Sequence, residues 1–184
     1  MIGSKNFALL VITTITLSVI MFGCDIEPPA SLEHGLTLLD EPEVSLGQQG
    51  ELRQAHSATA RYHALTRALA DGYEELPPCA ELPGVGAQGI HYINFALLDD
   101  MLDPKKPEIL QYIPTEDGLK FVGLEYAVPA VGPIPSLFGH DFHPFPDPPA
   151  EPELFVLHVW LLPEVPNPSG LFADWNPNLS CDGD

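Results

Sequence analysis

The chain has 184 residues, of which 26 are acidic and 7 are Lys or Arg, for a formal net charge of −19 at pH 7. A field of that sign repels phosphate backbones and anionic lipid surfaces, which argues against nucleic-acid binding and leaves solubility and cation attraction. The length is enough for one ordinary domain with a genuine core and too short to expect two.

At the N-terminus Lys5 precedes Phe7 to Phe22, a run of 16 residues without charge that closes in Met21-Phe22-Gly23-Cys24. A spanning helix needs ~20 apolar residues, so the run reads as a cleaved export segment over 1–23 rather than a permanent transmembrane helix. With Gly23 before Cys24, the segment resembles the lipobox of bacterial lipoproteins. That resemblance implies a lipid on Cys24 and a protein held at a membrane on its extracytoplasmic side, the periplasmic side or the cell surface. Asp25 resembles the signal that keeps some lipoproteins at the inner membrane. Residues 24–44, acidic and carrying Pro28 and Pro29, read as a tether, and residues 45–184 as a single α+β domain.

Ser45 and Gln48 have the spacing of a capping box, although Gly47 and Gly50 weaken a first helical turn. From Glu51, the residues Leu52, Ala55, Thr59, Tyr62, Leu65 and Leu69 recur every three or four positions, and Asp71-Gly72 is a stop signal. The pattern predicts one main helix packed on an antiparallel sheet. Arg53, His56, His63 and Arg67 line its other flank, and Arg61 lies on the same helix. Such a stripe serves either to neutralise carboxylates of its own domain, the reading preferred here, or to bind an anion or a partner.

Pro83-Gly84-Val85-Gly86-Ala87-Gln88-Gly89 leads into His91-Tyr92-Ile93-Asn94. Phosphate-cradling loops need their glycines before a helix, whereas these precede a strand, so they read as a flexible or close-packed approach to the sheet. Glu108 to Ile113 and Leu119 to Val128 are strand-like, with Asp117-Gly118 as the hairpin signal and Pro114 as the stop of the first strand. Alternation in the second strand puts Leu119, Phe121, Gly123, Glu125 and Ala127 on one face, with Glu125 buried.

Pro129 to Glu153 contains eight prolines, which remove backbone donors and argue for a long irregular loop. His140, Asp141 and His143 within it are weak evidence for a chelate. Phe155 to Leu162 is apolar on both faces, so it reads as a strand at the centre of a sheet or between layers, with His158 as its titratable group. Beyond it lie a turn at Pro166-Asn167-Pro168-Ser169-Gly170 and a tail, Phe172-Ala173-Asp174-Trp175-Asn176-Pro177, running to Cys181.

If Cys24 carries a lipid, Cys79 and Cys181 most simply form one disulfide in an oxidising compartment, the alternative being two free thiols. No Gly-x-Ser-x-Gly elbow occurs, a bridged pair leaves no nucleophilic thiol, and acids are too numerous for any chosen pair to signal a glycosidase. No catalytic residue is assigned. The strings His91-Tyr92-x-Asn94, Gly123-x-Glu125-Tyr126, Leu157-His158-Val159-Trp160 and Phe172 to Pro177 together resemble a family of uncharacterised secreted bacterial proteins. The likeness spans roughly residues 50–181 and implies one domain, with no activity to transfer.

Three strands each contribute one titratable residue: His91, Glu125 and His158. If they converge, two imidazoles and a carboxylate make an adequate set for zinc or iron, with open positions for water. The plainer alternative is a buried hydrogen-bond network in which Glu125 pairs with a histidine. The preferred expectation is a non-catalytic binding or envelope-structural module without a cofactor, its ligand a protein or small molecule. A metal-dependent site at His91, Glu125 and His158 is the alternative.

Overall fold

The computed structural model describes residues 45–145 and 153–183. The expected export segment 1–23, Cys24, the expected tether 24–44 and part of the proline-rich stretch lie outside the described residues. Among the described residues no helix is long and apolar enough to cross a membrane.

The capping box forms. Ser45 Oγ accepts from the Gln48 backbone N–H while Gln48 Oε1 accepts from the Ser45 backbone, and helix α1 runs Leu46–Thr59 with Leu52, Ala55 and Thr59 buried. The single helix expected to reach Asp71 does not. A 3₁₀ turn at Ala60–His63 and an extended Ala64 interrupt it before a short second helix, α2, Leu65–Ala70. That interruption resets the helical phase: Ala68 is fully buried, whereas Leu69, expected in the core, is 51% exposed. Gly72, with φ +95°, ends α2 in a Schellman arrangement, the Tyr73 N–H donating to Ala68 O and Gly72 N–H to Leu69 O.

The rest of the domain is mostly strand: β1 Glu74–Leu82, β2 Gly86–Ile93, β3 Ile109–Thr115, β4 Gly118–Pro129, β5 Ser136–Leu137, β6 His140–Asp141, β7 His143–Pro144 and β8 Leu154–Val159. Six of them form one curled antiparallel sheet in the order β1-β2-β3-β4-β8-β7, and β5 pairs with β6 apart from it. The fold is α+β with the sheet dominant. The segments around 91, 109, 121 and 157 are neighbours, as expected; β1 was not foreseen, because Pro77-Pro78 argues against a strand. It is tolerated at the sheet edge, where the register with β2 breaks between Leu76 and Ala80.

Three strand expectations need correction. β3 runs through Pro114, because its ladder with β2 reaches only Tyr112 and no partner on that side requires a donor from the proline. The hairpin therefore closes at Thr115 opposite Gly118, around Glu116-Asp117. Phe155 to Leu162 stops being strand after Val159, where the Trp160 N–H turns to Leu171 O. It lies beside the sheet edge rather than at its centre, covered there by the two-residue β7. The proline-rich stretch is correspondingly less irregular than expected, since β5, β6 and β7 all fall within it.

The third correction bears on the site. Gln111 pairs with Gly123 but Tyr112 pairs with Phe121, so Val122 is an extra residue in β4, a bulge. Cross-strand partners point to one side, hence Phe121 and Gly123 face opposite ways. Leu119 and Phe121 go with Tyr112 toward the helices, where Tyr112 Oη donates to Tyr62 O at 2.7 Å. Gly123, Glu125 and Ala127 go to the other face, with His91, Gln111, Ile109, His158, Val156 and His143 in register across β2, β3, β8 and β7. Without the bulge, Glu125 would stand among the core aromatics.

Cys79 and Cys181 are joined, tying β1 to the tail across 102 residues of sequence. The loop-entropy model assigns a closure of that length ~4–5 kcal/mol of stabilisation.

Candidate metal centre

His91, Glu125 and His158 come together. His91 Nε2 lies 3.2 Å and His158 Nε2 3.6 Å from the same oxygen, Glu125 Oε2. The three residues offer ligand atoms that all lie within 4.8 Å of one another, and all three are buried. Convergence follows from register: Glu125 is directly paired with His158, while His91 reaches across β3, on which Gln111 is its own partner.

Gly123 makes room for this. A Cβ there would come 2.5 Å from Gln111 Oε1 and 3.2 Å from the Trp160 ring. Gln111 Nε2 in turn lies 3.4 Å from His91 Nε2. The same ring nitrogen faces Glu125 Oε2, so according to its proton it accepts from Gln111 or donates to Glu125.

Close approach has not produced hydrogen bonds. Both oxygens of Glu125 and both nitrogens of His158 are buried without a hydrogen-bond partner among the described residues. Burial is the largest single influence on Glu125 and opposes its ionisation, but His158 and His91, with His143 further off, together outweigh it and hold the carboxyl below the usual carboxylate range. The result is an anion held between imidazoles.

Two residues that sequence reasoning did not place in the site extend it. Asp174 Oδ1 lies 3.6 Å from His158 Nδ1 and 2.8 Å from His143 Nε2. Asp174 is fixed by its backbone: Gln88 Nε2 donates to Asp174 O, Trp160 Nε1 to Ala173 O and Asn167 Nδ2 to Trp175 O, while Asn176 bridges to Ala87. Of the approach glycines, Gly86 and Gly89 are close-packed, a Cβ there meeting Asn176 O at 2.3 Å and Tyr112 O at 2.4 Å, whereas Gly84 faces open space. The available signal was a Trp and two amides flanking one acid, which becomes legible only once the tail folds over the sheet. His140 and Asp141, weighed with His143 as a chelate, take no part: both are exposed, and His140 stacks on Phe172 with ring centroids 3.7 Å apart.

The basic stripe is only partly paired, with Arg53 and Arg67 exposed and outside any ion pair among the described residues. Arg61 pairs with Asp71 and lies over the Tyr62 ring, and His63 approaches Glu164 at 3.6 Å. Exposed pairs of this kind contribute little.

Fold and site together define a class: an α+β domain with a His/Glu/Asp cluster on one face of its sheet. No protein-family model matches the chain, no curated protein matches it in sequence, and no solved structure matches it. The roles of its residues therefore rest on their geometry.

Proposed function

We propose that this is a membrane-tethered extracytoplasmic protein whose domain binds a divalent transition metal, zinc or ferrous iron, through His91, Glu125 and His158. One observation carries the reading: three ligand atoms from three strands lie within 4.8 Å, buried, with the carboxylate oxygens and the His158 nitrogens unmatched by any hydrogen bond. Leaving such groups buried and unpaired costs about 1–3 kcal/mol each, more when charged, and a single cation would satisfy them together. Two imidazoles and a carboxylate suit zinc and iron in ligand type.

The reading is of a binding module rather than an enzyme. His91 is 8% exposed, His158 1% and Glu125 0%, so the three side chains offer a substrate almost no surface. The membrane tether is supported by the sequence alone, through the segment ending in Gly23-Cys24.

Elemental analysis of the full chain purified without chelator tests the metal. The ion held by the triad is expected in the wild type and its loss in Glu125→Gln and His158→Ala, with circular dichroism unchanged; a wild type that stays metal-free after equilibration with zinc overturns the proposal. For the tether, Cys24→Ser should abolish lipid labelling and processing, and normal processing and fractionation of that variant would refute it.

A further inference from the structure

The inner triad engages one nitrogen of His158, and the other nitrogen belongs to a second set. His143, His158 and Asp174 also present ligand atoms within 4.8 Å of one another. His158 meets Glu125 through Nε2 and Asp174 through Nδ1, so the two sets share the residue but not the atom.

The condition of each atom in the second set is that of a ligand. His143 Nδ1 lies 3.0 Å from Pro144 O. A carbonyl only accepts, so Nδ1 carries the proton and, in the neutral ring, Nε2 holds the lone pair. A backbone carbonyl behind the ring is the usual support of a metal-bound histidine. His143 Nε2 lies 2.8 Å and His158 Nδ1 3.6 Å from Asp174 Oδ1, so both imidazoles converge on one carboxylate oxygen. Asp174 is brought there by a backbone pinned on both sides of it, at Ala173 O and Trp175 O, as well as at its own carbonyl.

We infer that His143, His158 and Asp174 form a second divalent-cation position, and that His158 bridges the two ions through its two ring nitrogens. The inference rests on the inner-triad reading for its bridge, but not for the outer ligand set. Both nitrogens of one imidazole bind metal only as imidazolate, so loading the second position releases the last ring proton of His158 to solvent. The ligand class is a divalent ion that favours imidazole, zinc or copper(II). The two positions differ in access. The side chains of His143 and Asp174 are 35% and 40% exposed, whereas Glu125 and His158 are sealed. The outer ion is therefore the exchangeable one.

The test uses the full-length chain in detergent, stripped and equilibrated with zinc, with metal counted per chain. Two ions are expected in the wild type, one in Asp174→Asn and His143→Ala, and one in His91→Ala and Glu125→Gln. A brief chelator treatment of the wild type should remove one ion well before the other. Copper(II) loading examines the bridge: coupling through a shared imidazolate should make the spin signal of the doubly loaded wild type weaker than that of singly loaded Asp174→Asn. A wild-type count that neither Asp174→Asn nor His143→Ala lowers overturns the outer position while leaving the inner triad standing. A count lowered by those two variants but not by His91→Ala or Glu125→Gln overturns the inner triad and the bridge. Two ions with additive copper signals overturn the bridge alone, and no bound ion overturns both sites.

Discussion

Glu125 and Glu108 are both buried glutamates close together in the sheet, Glu108 standing one residue before Ile109, the pair partner of Glu125. Their carboxyls are pushed in opposite directions. Burial raises Glu108 to about 8, aided by Asp99 and Asp103 and opposed only by backbone N–H groups, of which Ala127 donates at 2.9 Å. The nearby tyrosines are occupied elsewhere, Tyr73 donating to Pro107 O and Tyr126 to Pro104 O. Burial presses on Glu125 in the same sense, but three histidines reverse it. Depth in the protein thus sets the pressure on a carboxyl, while the neighbours set its charge: one glutamate is built to hold a proton and the other to meet cations.

The largest expected effect comes from removing the anion that the histidines surround. Glu125→Ala should cost about 3–5 kcal/mol of stability, as for one partner of a buried ionic pair, against about 1–3 kcal/mol for Glu108→Ala, which strands a single backbone donor. Urea denaturation of both variants measures the gap, and equal costs would erase the distinction between the two sites.

Next in size is a pH effect confined to Glu108. Its folded-state value of about 8 lies above the ordinary 4.5, so the stability it contributes is complete below about 4.5, declines as pH rises, and is gone once pH passes about 8. Glu108→Gln keeps an acceptor for Ala127 N–H and has no proton to lose. Relative to wild type it should be near neutral at pH 4 and more stable by roughly 2–4 kcal/mol at pH 9. Thermal denaturation across that range is the check, and a variant that tracks wild type at every pH would show Glu108 to be ionised in the folded protein.

The smallest effect sharpens the contrast from the metal side. Gly123→Ala sets a methyl against Gln111 Oε1, which can swing away, and against the Trp160 ring, which is held by its bond to Ala173 O. Overpacking of this kind costs about 1–2 kcal/mol. Zinc affinity should fall along with stability, while the pH profile assigned to Glu108 should not move; isothermal titration beside the thermal series separates the two.

Much of this architecture could be read from local chemistry. Ser45 and Gln48 announce the start of α1 because a capping box is satisfied within four residues of chain. Strand-like apolar runs marked β2, β3, β4 and β8, and a polar residue within an apolar strand has to find a partner on the buried face. For that reason His91, Glu125 and His158 could be nominated together, and two cysteines left after Cys24 pointed to the bridge that forms. The helix break at Ala60–Ala64, by contrast, leaves no trace in the hydrophobic period, and β1 is masked by the prolines that its edge position tolerates.

What the tertiary structure alone decided is which polar groups meet. The extra residue Val122 in β4 turns Gly123 and Glu125 away from Phe121, and no alternation rule foresees a bulge. His143 lies on a two-residue strand and Asp174 on an irregular tail, neither with a period to betray it. They reach His158 because the tail is pinned by Gln88, Trp160 and Asn167 and closed at Cys79–Cys181, contacts between segments far apart in the chain. Sequence spacing determines the direction of a side chain within its own element; the partner it faces depends on loops and closures whose geometry exists only after the sheet has curled and the tail has folded over it.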